Sequence, residues 1–206
     1  MRWRATLWIL TAALLAGAGG LLLSLRVNGP GPLGPLLMHT RLGTWLLESV
    51  IAPAPPPGSR VGALGANVAD LELPDLAGRR HKLGEWRGRL LIVNLWATWC
   101  EPCRKEMPLL AAFAGRQGVS GIQVIGIAQD DVPAIRRFLL RTPVNYAILI
   151  GDGQGRASLG LGNALGALPY TVLIDRDGKL LRRKLGPFSG ISELQTWATL
   201  PRVESP

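Results

Sequence analysis

The longest apolar stretch comes first. Ala5 to Leu25 are 21 consecutive uncharged residues, which as a helix span about 32 Å, enough for a bilayer core of about 30 Å. Arg2 and Arg4 precede the stretch, Arg26 follows it, and Trp3 and Trp8 suit the headgroup level. The pattern predicts a transmembrane helix, with the N-terminus in the cytoplasm and the remainder outside. Ala16-Gly17-Ala18 offers a signal-cleavage alternative, but Leu21, Leu22, Leu23 and Leu25 carry the apolar run past it, so a retained anchor is favoured.

Next, Asn28 to Pro35 read as a Gly/Pro linker, and Leu36 to Ile51 as a short helix lying on the membrane or on the domain. Pro53 to Gly58 form a stiff extended spacer. The boundaries are therefore 1–27 for the anchor, 28–60 for the arm and linker, 61–200 for the domain and 201–206 for a tail.

Within the domain the period alternates. Val68–Leu73 and His81–Leu83 flank the turn residues Asp75–Gly78, which predicts an N-terminal β-hairpin. Leu90–Leu95 and Gly121–Ala128 are short apolar runs suited to buried strands, and Tyr146–Ile150 is a third. Glu101–Arg116 reads as a helix, as does the segment opened by Pro133 and carrying Ile135, Phe138, Leu139 and Leu140. Tyr170–Asp175 and Lys179–Leu185 flank Asp177-Gly178, a hairpin turn signal, and Ser189–Leu200 closes the domain as a helix. Strands alternating with helices, then a hairpin and a helix, predict an α/β fold with a mixed sheet. Gly151, Gly153 and Gly155 lack phosphate-loop spacing and read as a surface loop.

Composition narrows the function. Net charge is +9, yet the basic residues are scattered and no nucleic-acid motif accompanies them, so nucleic acid is not expected as a partner. A solvated basic surface, suited to anionic headgroups, is the simpler reading. Two cysteines cannot build a disulfide framework. Zinc would need two further ligands, and His39 and His81 have no finger-type spacing.

Those cysteines, Cys100 and Cys103, stand in WATWCEPCRKEMP at the start of the first domain helix. Disulfide exchange needs a reactive thiolate and a second thiol close enough to resolve the mixed disulfide. At a helix N-terminus the unpaired N–H groups and the dipole favour the thiolate on Cys100. Cys103 lies one turn deeper on the same side, and Pro102 suits a first turn. Trp96 and Trp99 are placed to wall the pair from water. Glu101 opposes ionisation of its neighbour, and no histidine stands between the cysteines to favour it, which leans toward a reducing couple. Glu106 is on the same helix face. It reads either as a partly buried proton carrier or as a solvated glutamate near Arg104 and Lys105. Pro108 should bend the helix.

The stretch resembles the active site of the membrane-anchored, thioredoxin-like reductases of the TlpA/ResA/DsbE group, with a match over about Gly62 to Leu200. The resemblance implies a thioredoxin fold with an added N-terminal hairpin and a Cys100–Cys103 redox disulfide in place of any cofactor. It implies Cys100 as attacking cysteine, Cys103 as resolving cysteine and Glu106 as the family's active-site glutamate. It also implies a cis-proline at Pro169, with the Leu168 backbone pairing with an extended substrate. Trp99, Leu168 and Pro169 are the expected substrate-binding residues. Cytoplasmic thioredoxins carry a buried acid where Asn94 stands, which shifts proton handling toward Glu106. Implied partners are exported proteins with disulfides, such as apocytochrome c, and a transmembrane thiol donor of the DsbD/CcdA type. Localisation would be the cytoplasmic membrane, with the domain in the periplasm or outside the cell. An oxidant or isomerase is the near alternative, and Cu(I) handling the more distant one. A peroxidase would need Thr or Ser three residues before Cys100 and Pro seven before it, where Ala97 and Val93 stand.

Overall fold

A computed structural model describes residues 61–118, 121–152 and 155–199. The candidate span Ala5–Leu25, the 28–60 arm and the 201–206 tail lie outside them. Among the described residues no helix is long and apolar enough to cross a membrane.

The first strands of the described residues form a short antiparallel ladder, β1 (Glu72–Pro74) and β2 (Arg80–Lys82). Its first strand is shorter than the expected Val68–Leu73 because it starts late: Val68 to Leu71 form a turn, in which Val68 O accepts the Leu71 N–H at 3.1 Å and Asn67 Oδ1 accepts the Ala69 N–H at 2.9 Å. Asp75 Oδ1 accepts the backbone N–H groups of Ala77 and Arg79, at 2.8 and 2.9 Å, and so fixes the turn between β1 and β2. A 3-10 turn follows at Leu83–Trp86.

The main sheet contains β3 (Leu91–Trp96), β4 (Gln123–Ala128), β5 (Ala147–Ile150), β6 (Tyr170–Ile174) and β7 (Leu180–Leu185), in the order β5-β4-β3-β6-β7. Strands β3, β4 and β5 run parallel, while β6 and β7 are antiparallel to their neighbours, so the sheet is mixed as the alternation predicted. Crossovers are α1 (Glu101–Arg116), α2 (Val132–Arg141) and the short α3 (Arg156–Gly160), and α4 (Ile191–Thr199) closes the domain. Helix α3 was not anticipated. It follows directly on the glycines read as a surface loop, with Gly155 as its N-cap at φ 73°, a left-handed conformation that suits glycine.

All six residues of β3 are buried, which is why it reads as a continuous apolar run rather than an alternation. Leu91, Val93 and Leu95 pack with Leu73, Leu83, Ala157 and Leu161 on one face. Ile92 and Trp96 face the other side, with Met107, Leu110 and Phe113 of α1, Ile135 of α2 and Leu194 of α4. Each such fully buried aliphatic side chain contributes about 1.5–3 kcal/mol relative to exposure. The strand thus runs sandwiched between two packed layers and delivers its C-terminal end, Trp96, to the cysteines.

Candidate active site

Helix α1 is set by its buried stripe, Cys103, Glu106, Met107, Leu110 and Phe113, which recurs at helical spacing. Cys100 is its N-cap, and Pro102 lies in the first turn, where a missing N–H costs nothing. The helix continues through Pro108 to Arg116. Cys100 and Cys103 are joined, with Sγ–Sγ 2.01 Å and Cα–Cα 5.3 Å. Cys100 Sγ accepts the Cys103 backbone N–H at 3.3 Å. The same N–H, with the positive end of the helix dipole, would stabilise a Cys100 thiolate after reduction.

The turn ahead of the cysteines is anchored from β4. Asp130 Oδ2 accepts both the backbone N–H and the hydroxyl of Thr98, the former at 3.2 Å. Asp130 Oδ1 takes the Asp131 N–H at 2.8 Å, and Asp131 in turn caps α2 by accepting the Ala134 N–H at 2.6 Å. One acid therefore ties the WATWC loop to the start of the next helix. No motif pointed to Asp130, which is visible only once β3 and β4 are seen to be parallel neighbours.

Trp96 is fully buried, but Trp99 is 68% exposed. The expectation that both tryptophans shield the disulfide holds for Trp96 alone. Trp99 lies in the turn beyond the last strand residue and lines a groove. Glu101, the carboxylate beside Cys100, does not stand alone. Its carboxylate pairs with Lys105 at 2.7 Å, and that hydrogen bond and charge hold it below the usual glutamate range.

Glu106 is 3% exposed, which rules out the solvated-glutamate reading. Its Oε1 accepts the Phe188 backbone N–H at 3.1 Å, and its Oε2 accepts Asn94 Nδ2 at 3.4 Å. Asn94 Nδ2 also donates to Thr171 Oγ1 at 3.0 Å, so the amide bridges α1, β3 and β6. Burial pushes the Glu106 carboxyl up to about 7, against the two hydrogen bonds and the charge of Lys184, which favour the anion. A carboxyl one turn past Cys103 that titrates near neutrality is suited to hold or release a proton.

The Leu168–Pro169 peptide is cis. Leu168 packs against the cluster that contains both cysteines, and Tyr170 follows in register with Leu95, which brings the Pro169 turn level with the end of β3. The approach to it is held by Asn163, 3% exposed, whose side chain donates to Ala167 O at 2.9 Å and accepts the Ala167 N–H at 3.1 Å. Pro169 O accepts the Gly186 N–H at 2.9 Å. The predicted set Cys100, Cys103, Glu106, Leu168 and Pro169 thus converges, with Trp99 at the rim. Asn94, Asp130, Asn163 and Thr171 complete the site.

With this geometry in view, comparison with known proteins decides the relationship. The AhpC/TSA family model matches residues 64–183. The chain belongs to the AhpC/TSA family. A curated relative, the thiol-disulfide oxidoreductase ResA of Geobacillus thermodenitrificans, is 33% identical over 119 residues, covering 57% of this chain and 67% of that protein. The solved thioredoxin-related protein of Neisseria meningitidis serogroup B is 34% identical with TM-score 0.55, covering 60% of this chain and 93% of that one. A DsbF homologue from Corynebacterium diphtheriae shares the fold at TM-score 0.57 and 21% identity, covering 71% of this chain and 97% of its own. Within the family, this chain is a thioredoxin-like thiol–disulfide oxidoreductase with a redox-active cysteine pair. The positions where a peroxidase would carry hydroxyl and proline are Ala97 and Val93, both fully buried.

Proposed function

We propose that the protein is a reductant of disulfides in exported proteins, tethered by its N-terminal apolar segment with the described domain outside the cytoplasm. Cys100 thiolate attacks one sulfur of a substrate disulfide, forming a mixed disulfide and releasing one substrate thiolate. Cys103, as thiolate, then attacks Cys100 Sγ, which closes the Cys100–Cys103 disulfide and releases the second substrate thiolate. The substrate gains two electrons and, after protonation, two protons; the dithiol loses the same. Glu106 takes the proton of Cys103 as it becomes the nucleophile and returns it when the pair is reduced again. A membrane thiol carrier of the DsbD/CcdA type would restore the electrons. Apocytochrome c is one substrate of the right chemistry.

The observation that carries this reading is the pairing of the N-capping Cys100 with the buried Glu106 one turn beyond Cys103. It supplies a stabilised nucleophile and a proton acceptor on a single helix. Leu168 supports the substrate side. It lines the groove, and the carbonyls on either side of it are already engaged by Asn163 and Gly186, so its own peptide is the one we assign to pairing with an added strand. The test is the Cys103→Ala variant, which should accumulate a mixed disulfide through Cys100 that dithiothreitol releases. Recovery of no covalent partner, or of one joined elsewhere, would overturn the assigned roles.

A further inference from the structure

A groove of about 520 Å³ runs from Trp99 past Asp130 and Asp131 to Gly155, Gly166 and Leu168. Its lining includes both the residue next to Cys100 and the residue before the cis-proline, so a segment paired with Leu168 lies beside it. Its chemistry is opposite to that of the whole chain. Two carboxylates line it and, among the described residues, no Lys or Arg does, while the chain carries a net charge of +9. Arg156 follows the lining residue Gly155, but its guanidinium is held by Asp152, Nε–Oδ2 2.9 Å.

Both carboxylates are fixed in place. Asp130 is held by Thr98 and the Asp131 N–H, and Asp131 by its cap on α2. They therefore present charge without having to be ordered on binding, which lowers the cost of using them. The same groove is lined by Trp99, 68% exposed, which offers a large apolar face beside Cys100. An aromatic face with two carboxylates suits a cation on an apolar stem, since the ring attracts the charge and covers the methylenes. Gly155 and Gly166 also line it, with no atom of the described residues within 4 Å of where a Cβ would stand.

We propose that this groove selects substrates by charge: Asp130 and Asp131, with Trp99, receive a Lys or Arg close to the attacked cysteine of the substrate. This rests on the thiol-exchange reading above and specifies its substrate class, cysteine-containing segments that are locally basic. An acidic residue at the same place is rejected by the same two carboxylates.

The test uses the reduced intact chain and two synthetic disulfide peptides, identical except for Arg or Glu about two residues from the cysteine, a distance of about 7 Å in extended chain. The Arg peptide should be reduced with kcat/KM about tenfold above the Glu peptide at low salt, as expected for several partly exposed charge interactions. High salt should collapse the ratio. Asp131→Asn keeps the α2 cap, because Asn caps as well as Asp, and should lower the ratio about threefold; Asp131→Lys should bring it to one or invert it. A ratio near one in the native chain, or one unmoved by Asp131→Asn, overturns the proposal while exchange itself stands. Reduction of neither peptide overturns the exchange reading along with it.

Discussion

Replacing Glu106 by Gln keeps the size of the side chain and an acceptor for the Phe188 N–H, and removes the charge together with the acceptor that faces Asn94 Nδ2. In the folded protein burial raises the carboxyl from 4.5 to about 7. Above pH 7 the native state must hold an anion out of water, whereas below 4.5 both folded and unfolded forms are protonated. Between those values the native state binds more protons, so stability falls as pH rises. A shift of about 2.5 units at 1.36 kcal/mol per unit gives about 3 kcal/mol. His81 acts in the same direction at higher pH, because its bond to Glu85 raises its pKa above 6.5 and that stabilisation is lost as pH rises through the raised value. The difference between native chain and variant cancels His81 and isolates Glu106. Urea unfolding of the oxidised protein, run from pH 4.5 to 8, should show Glu106→Gln gaining about 3 kcal/mol on the native protein across that window. Exchange by the reduced variant should also lose the pH dependence centred near 7. Parallel stability curves, differing by less than about 1 kcal/mol in slope over the window, would refute the burial argument. An unchanged exchange profile would refute the proton role even if the stability argument holds.

Two further outcomes follow from the same packing. Gly126→Ala places a Cβ 2.8 Å from Ile148 Cδ1 and 2.9 Å from Trp96 Nε1; chemical denaturation should show a loss of about 1–3 kcal/mol from overpacking, and an unchanged midpoint would mean that Trp96 is looser than its burial implies. Asn94→Ala removes a hydrogen bond that lowers the Glu106 pKa; the midpoint of the exchange profile should move above the native one, and a downward move would contradict the assigned bond.

Much of this architecture was legible in the pattern. The bounds of α1 follow from its stripe and Pro102, β3 from an uninterrupted apolar run, and the terminal hairpin from Asp177-Gly178. Glu106 was legible as a position, since it falls on the same stripe as Cys103, Met107 and Leu110. Its environment was not, because that depends on Phe188, 82 residues away, and on Asn94 in another strand. Asp130 and Asn163 escaped notice for the same reason. A single acid or amide in a loop carries no period, and its partners, Thr98 and Ala167, become neighbours through sheet register or a local loop closure. Exposure of Trp99 was misjudged because tryptophan is large and apolar, and its neighbour Trp96, three residues earlier, is buried. A strand ending between them separates the two environments.

The central claim is that Cys100 and Cys103 work as a reducing dithiol, and the reduction potential of the pair tests it most directly. Equilibration of the intact chain against a glutathione or dithiothreitol series should place the couple nearer thioredoxin's value of about −270 mV than the −120 mV or so of DsbA. A potential above about −180 mV would contradict the account and make the protein an oxidant or isomerase.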